Sequence, residues 1–410
     1  MSPNKSFQST KKRELINSLT NDVRKLVRES ISELDDEEIS SFIDKKILED
    51  YATNLDINEK IDIANIVFAR TRKELSILQP IADNPDVTEI MVNGKDCIFI
   101  EKNGRLMITD VSFDSTEELE DVIRKIAGKV HREINEHSPI LDARLMDGSR
   151  VNAVYKNIAL GGPAMTIRRF PKTAISMEDL IRYESLPKHA ADFLIRLVRA
   201  GYNIFISGGT NSGKTTFLNA LSNFIPEDER VVTIEDSAEL QITGVQNIVK
   251  LECREANAQG KGSINMKQLI KSSLRMRPNR IIVGEVRGEE VLDMIQAMNT
   301  GHSGSLSTGH GNSPQGMLYR LEAMFLQAAD FPIEAIRRQI AEGIDIMVHL
   351  GRLANKKRKV LEISEVNGVS EGTIRLNKIF SYEHEKGLVK VGKLINIDKI
   401  LMMGESTDGI

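Results

Sequence analysis

Residues 203–221 read Asn203-Ile204-Phe205-Ile206-Ser207, then Gly208-Gly209-Thr210-Asn211-Ser212-Gly213-Lys214-Thr215-Thr216, then Phe217-Leu218-Asn219-Ala220-Leu221. A short β-forming run, a glycine-bearing turn and a helix-forming run follow one another without a break. The turn has the spacing G-x-x-x-x-G-K-T. Its glycines let the backbone curl until successive N–H groups point at one centre. The helix that follows turns its positive end toward the same centre. Such a concavity suits a phosphate. Lys214 then reaches the β- and γ-phosphates, and the Thr215 hydroxyl suits Mg²⁺. Gly208, Gly209, Thr210, Asn211, Ser212, Gly213, Lys214, Thr215 and Thr216 are the candidate nucleotide-binding residues, with ATP and Mg²⁺ the expected ligands.

The rest of the chain can be placed around this turn. From Lys188 onward helices alternate with apolar strands: helix 188–200, strand 203–207, strand 231–235, helix 265–276, strand 280–284 and helix 288–299. That alternation predicts a mostly parallel sheet, an α/β fold. Ser313 and Pro314 give a cap and a first-turn proline for one more helix, and 344–383 reads as β-rich. Upstream, Val87–Val92, Cys97–Glu101, Arg150–Tyr155 and Ala164–Arg169 read as strands and Thr116–His131 as a helix, an α+β domain. Leu15, Leu19, Val23, Leu26 and Leu34 fall close to a helical period, and two further helices are expected around Asp36–Tyr51 and Asn58–Ile77. The expected partition is 1–78 a helical extension with its first ten residues unstructured, 79–172 the α+β domain, 173–187 a connector with one short helix, 188–403 the nucleotide domain, and 404–410 a polar tail. Glu255–Ser263 is expected to be a mobile polar segment, and Lys356-Lys357-Arg358-Lys359 a solvated hairpin tip.

Composition removes several classes. The 410 residues carry a net charge of −4, with 5% aromatic residues and no Trp, so the basic and stacking signature of a nucleic-acid motor is absent. Two isolated cysteines, Cys97 and Cys253, form no C-x-x-C pair, which argues against zinc and for reduced thiols. No apolar run approaches the roughly 18 residues that span a bilayer. The expectation is a soluble, cytoplasmic protein that partners would hold at a membrane.

Hydrolysis needs groups that orient water and hold Mg²⁺. In Ile281-Ile282-Val283-Gly284-Glu285-Val286-Arg287 an apolar strand ends in Glu285, with Gly284 where many phosphate-loop enzymes place an Asp. Thr233-Ile234-Glu235-Asp236 is a second acid-tipped strand, and ligands bind beyond the carboxyl ends of such strands. Glu235, Asp236 and Glu285 are candidates for water activation. Glu235 and Asp236, with Thr215, are candidates for the metal. His302 and His310 stand in a small-residue stretch, 300–311, as candidate γ-phosphate sensors. Among the arginines (Arg144, Arg150, Arg168, Arg169, Arg277 and Arg287), Arg168 and Arg169 are the first choice for a contact from another domain or subunit.

In this order, Gly208–Thr216, Ile234–Asp236, Gly284–Arg287 and the pair Thr300-Gly301-His302 and Thr308-Gly309-His310 resemble the Walker A, Asp box, atypical Walker B and His box of the type II/type IV secretion ATPase superfamily. Val87–Gly94, Asp147–Asn152 and Thr166–Phe170 resemble its tight-adherence pilus branch. The resemblance covers roughly residues 80–350. It implies a RecA-like ATPase core with an upstream PAS-like α+β domain. It also implies a homo-hexameric ring, recruited to the inner face of the cell membrane by a platform protein, in which ATP-driven interdomain movement powers pilus assembly or protein secretion. The four-cysteine zinc element of the general-secretion members is absent. The alternatives left open are a RecA-like nucleic-acid motor and a nucleotide-dependent switch with negligible turnover.

Overall fold

The protein is described from a computed structural model, which covers residues 3–30, 34–50, 55–102, 104–169, 174–254, 256, 261–404 and 407. Asn103, Phe170, Pro171 and most of the expected mobile segment and polar tail lie outside these residues. The chain divides into two compact units, Met1–Lys172 and Thr173–Ile410.

The first unit opens with α1 (Pro3–Glu29), α2 (Asp36–Asp50) and α3 (Ile57–Arg72). Ile16, Leu19, Val23, Ile39, Ile43, Ile47, Ile63 and Val67 form their shared core. Residues 3–10, expected to be unstructured, belong to α1. Pro3 opens that helix where its missing N–H costs nothing, and no breaker follows. At α3, Asp56 accepts from the Glu59 amide while the Glu59 carboxylate accepts from the Asp56 amide, a complete capping box. A short 3₁₀ turn and α4 (Gln79–Asp83) lead to β1 (Val87–Asn93), β2 (Ile98–Lys102), β3 (Arg105–Ile108), α5 (Thr116–Lys129), β4 (Ile140–Arg144), β5 (Arg150–Val154) and β6 (Ala164–Arg168). These strands form an antiparallel sheet in the order β3-β2-β1-β6-β5-β4. Helix α5 packs Leu119, Ile123 and Ile126 against Ile90, Val92, Val151 and Ile167. Arg70 of α3 ties the bundle to this domain. Its guanidinium, 7% exposed, sits 2.6 Å from Asp114 and 3.3 Å from Glu118, and also bonds Asn17.

The second unit contains α6 (Met177–Arg182), α7 (Lys188–Arg199), β7 (Ile204–Gly208), α8 (Lys214–Ser222), β8 (Val231–Glu235), β9 (Ile248–Glu252), α9 (Met266–Ser273), β10 (Arg280–Val283), α10 (Val291–Asn299) and β11 (Leu306–His310). It continues with α11 (Pro314–Ala328), α12 (Ile333–Gly343), β12 (Ile346–Arg352), β13 (Arg358–Ser370), β14 (Thr373–Glu383), β15 (Gly387–Lys390) and α13 (Asp398–Met402). Nine strands form one sheet in the order β15-β14-β13-β12-β7-β11-β10-β8-β9. From β12 to β9 every neighbour is parallel, and from β12 to β15 every neighbour is antiparallel. All of β7, β8 and β10 is buried, as strands covered on both faces must be. Alternation divides their side chains. Ile204 and Ile206 pack with Leu194, Phe217 and Leu218 of α7 and α8, while Phe205 packs with Ile295, Leu321 and Ile340 of α10, α11 and α12.

The start of β7 is held by one buried side chain. Asn203 accepts from the Gly304 and Ser305 amides through Oδ1 and donates to the Gly343 carbonyl through Nδ2. It thereby clamps β7 to the segments entering β11 and β12. Asn203→Ala leaves those three backbone groups without that partner, and removing partners from buried polar groups costs about 2–4 kcal/mol in total. Urea unfolding should show a midpoint lowered accordingly at an unchanged m-value. A midpoint within error of the parent would show that the clamp carries no load.

Candidate active site

The parallel register brings distant residues to one edge of the sheet. Gly208 pairs with His310 on one side and with Leu350 on the other. The phosphate loop, the end of β11 and the residues after β8 and β10 therefore crowd the carboxyl ends of neighbouring strands, where open α/β sheets bind ligands. Gly208 is required there by close approach: a Cβ would lie 2.5 Å from the Leu350 carbonyl and 2.6 Å from Ser212 Oγ.

Lys214, the first residue of α8, is the hub. Its Nζ lies 3.2 Å from the Gly209 carbonyl, 3.2 Å from His310 Nδ1 and 3.8 Å from Glu285 Oε1. His310 Nε2 lies 2.9 Å from the same Glu285 oxygen. Burial holds the His310 pKa below its ordinary value, against the pull of Glu285. The hydrogen-bond pattern then assigns one neutral tautomer: Nδ1 accepts from the Lys214 ammonium and Nε2–H donates to Glu285. Arg287 completes the cluster, with Nη2 2.6 Å from Glu285 Oε2 and Nη1 3.2 Å from Asp236 Oδ2. Five expected residues, Lys214, Asp236, Glu285, Arg287 and His310, thus form one charged network.

Glu235 is held apart from that network and is 3% exposed. Oε1 accepts from the Glu239 and Leu240 amides, while Oε2 is buried with no partner among the described residues. A Cβ on residue 284 would stand 3.1 Å from Glu235 Cγ, so the glycine in the strand-end motif makes room for this carboxyl. An orphaned carboxylate oxygen is the hard donor that Mg²⁺ prefers, so the Glu235 carboxyl fits the expected metal, whereas Asp236 is engaged with Arg287. No cluster of three or more His, Cys, Asp or Glu side chains suited to a metal occurs among the described residues.

Other expectations fare differently. His302 precedes β11, at the opposite end from His310, and four strand residues separate the two edges by roughly 13 Å. Its ring faces the Ala297 carbonyl at 3.2 Å, and this chain does not bring it to the site. Small-residue composition marked the whole 300–311 stretch and could not distinguish its two ends. Exposed Arg277 precedes β10, at that same far edge. In the first unit Arg169 is committed locally, its guanidinium bonding the Asn84 and Val87 carbonyls. Arg168 instead stands in a cross-strand row, opposite Arg150, which is opposite Arg144. Directly paired residues share a face, and like charges placed so destabilise a sheet.

Three residues near the loop escaped the sequence reading. His349 on β12 is buried, its Nδ1 2.9 Å from Ser207 Oγ, and burial lowers its pKa. Burial, with Asp236 adding to it, pushes the Cys253 thiol up to about 12, so it is an inert thiol beside the site. Arg358 donates from Nε to the Asn211 carbonyl at 2.9 Å; the hairpin tip is exposed over Lys356–Arg358, as expected, and is also fastened to the loop. Each of these contacts joins residues far apart in sequence, where local pattern carries no signal.

The Glu235 environment predicts a pH dependence. Burial raises its pKa from 4.5 to about 7 in the folded chain. A raised folded-state pKa gives stability that is fully present below pH 4.5 and is lost as pH rises to about 7. Glu235→Gln keeps the acceptor for Glu239 and Leu240 and removes the charge. The nucleotide-free variant should match the parent at pH 4.5 and exceed it at pH 8 by up to about 3 kcal/mol. A difference independent of pH would show that Glu235 ionises normally.

Residues 71–390 match the model of the type II/IV secretion system protein family. The type IV secretion system protein PtlH of Bordetella pertussis is 32% identical over 315 residues, covering 70% of this chain and 93% of that protein. An uncharacterized protein of Methanocaldococcus jannaschii is 36% identical over 305 residues, 71% of this chain, and the match spans only 41% of that relative's length. The fold is that of the Legionella pneumophila ATPase DotB (TM-score 0.52, 19% identity, 81% of this chain and 83% of that one) and of the pilus retraction motor PilT (0.51, 17%, 81% and 91%). An α/β sheet of this order, a phosphate loop tied to an acid and a histidine on adjoining strand ends, and matches of this extent lead to one statement: the chain belongs to the type II/IV secretion system protein family.

Proposed function

We propose that the chain is a motor ATPase of a pilus or secretion machine. The observation that carries this reading is the Lys214–His310–Glu285 cluster at the mouth of the phosphate loop. Backbone amides of Gly209–Thr215 and the ammonium of Lys214 bind the β- and γ-phosphates of ATP. Mg²⁺, held by Thr215 and Glu235, supplies charge neutralisation when bound. The γ-phosphate competes with Glu285 for Lys214. Its arrival frees that carboxylate to orient a water toward the γ-phosphorus. The water oxygen bonds phosphorus as the bond to the β–γ bridging oxygen breaks, the water proton passes to the Glu285 carboxylate, and ADP and inorganic phosphate leave. His310, bonded to both Lys214 and Glu285, senses whether the γ-phosphate is there. Arg287 holds Glu285 and Asp236 in place. The like-charged row Arg144–Arg150–Arg168 supplies further cations for the triphosphate in the assembled oligomer, which displaces Arg169 from that role.

The finer reading is a homo-hexamer of the tight-adherence pilus branch that works on a platform membrane protein through interdomain movement. Its support is the upstream motif set and the likeness of the fold to PilT. No helix among the described residues is long and apolar enough to cross a membrane, consistent with recruitment by a partner.

Lys214→Ala should abolish nucleotide binding and turnover. Glu285→Gln should retain binding and lower kcat by roughly 10²–10³, the range for a removed general base. Steady-state phosphate release measures both, and a Glu285→Gln enzyme at parental rate would remove Glu285 from the chemistry. Light scattering with a non-hydrolysable ATP analogue should report a six-fold mass. A strict monomer at micromolar concentration would contradict the ring.

A further inference from the structure

The basic hairpin between β12 and β13 lies outside every role assigned above. β12 runs beside β7, with Leu350 opposite Gly208, and the hairpin continues through Arg352 opposite Arg358. Its turn is closed by the Leu353 amide on the Lys357 carbonyl and the Lys356 amide on the Leu353 carbonyl. Four consecutive cations then divide by strand alternation. Lys357 and Lys359 both reach Glu184, in the turn between α6 and α7: Lys357 Nζ lies 3.0 Å from its carboxylate, and Lys359 bonds both carboxylate and carbonyl. The Val360 amide donates to the Ser185 carbonyl at 2.8 Å, so backbone as well as side chains fasten the hairpin there. Arg358, between the lysines, goes the other way. Its Nε donates to Asn211 in the phosphate loop, and its Cδ lies 3.3 Å from where a Cβ would project on Gly213.

Both ends of this connection are conformationally unusual. Asn211 has φ +58° and Glu184 φ +57°, left-handed values that cost a non-glycine residue free energy. At position 184, just past the end of α6, glycine is the common choice. A glutamate there accepts backbone cost and supplies the carboxylate that the lysines hold. The Asn211 carbonyl held by Arg358 belongs to the peptide whose N–H is that of Ser212, which turns back on the Gly209 carbonyl at 3.4 Å within the loop.

We propose that this hairpin is a strap coupling the α6–α7 turn to the phosphate loop, with Arg358 as the positioning residue that keeps Asn211 in its left-handed conformation for a nucleoside triphosphate. Glu184 lies two residues past the end of α6, the short helix with which the second unit opens. A displacement of that helix pulls on Lys357 and Lys359 and, through one intervening residue, on the Asn211 carbonyl. The strap rests on the nucleotide reading of the site and adds to it a route by which the loop's affinity follows the connector.

The test is a double-mutant cycle on the binding of a fluorescent ATP analogue to the full chain, with Lys214→Ala as control. Arg358→Ala should weaken binding about tenfold, the loss of one charge-assisted hydrogen bond. Arg358→Gln keeps a neutral donor and should fall between Arg358→Ala and the parent. Glu184→Asn retains a residue that tolerates the left-handed turn while removing the carboxylate. It touches no part of the loop, yet should weaken binding about threefold, the scale of exposed ion pairs. The double variant should stay near tenfold because both changes cut one path. Thermal midpoints without nucleotide should be unchanged. An affinity unaltered in Glu184→Asn, or a double variant at the thirtyfold product, would overturn the strap. Parental binding that survives Lys214→Ala would instead overturn the nucleotide reading.

Discussion

The positive charge of Lys214 is answered by protein groups: the Gly209 carbonyl, His310 Nδ1 and Glu285 Oε1 all lie within 3.8 Å. An ammonium only 7% exposed needs such partners, because burying an unpaired charge costs several kcal/mol. In the proposed mechanism the same geometry makes the cluster a switch: the γ-phosphate takes Lys214 from the shared Glu285 oxygen, and the displaced carboxylate is the acid that would orient water. Arg287 keeps the freed carboxylate from drifting by bonding its other oxygen.

The sheet makes this possible. Residues 208, 235, 285 and 310 meet because β7, β8, β10 and β11 are parallel neighbours in register, with their carboxyl ends at one edge. The anchoring lies at the opposite edge, where Asn203 clamps the entries to β11 and β12 and buried Arg280 bonds the Val198 and Gly304 carbonyls. One edge is held by buried contacts, the Asn203 clamp and the Arg280–Glu229 ion pair among them, and the other holds the charged network around Lys214. Gly284 belongs to the second group: a side chain there would press on Glu235, one of whose oxygens is buried with no partner among the described residues.

Much of this was legible in the sequence because the signals were local. The phosphate loop is a contiguous nine-residue pattern, and the acid-tipped strands announce themselves by the β-forming runs Val231–Ile234 and Ile281–Val283 before Glu235 and Glu285. The helical extension follows from periodicity alone. What the sequence hid is long-range. His302 and His310 look equivalent as neighbours in a small-residue stretch, and only the direction of β11 separates them. Arg168 and Arg169 are adjacent, yet strand alternation places one in an arginine row and turns the other into a local clamp for the Asn84 and Val87 carbonyls. Arg358 reads as one cation in a solvated run, and its contact with Asn211 spans 147 residues.

The exchange at Lys214 can be watched through His310, which touches both Lys214 and Glu285. Its imidazole resonances, followed by NMR while the chain is titrated with Mg²⁺ and a non-hydrolysable ATP analogue, report whether Glu285 leaves. Release of Glu285 predicts a large shift of the assigned His310 ring signals with the triphosphate and little with ADP. A His310 signal that stays in place while the triphosphate saturates the phosphate loop would contradict the exchange and the role given to Glu285.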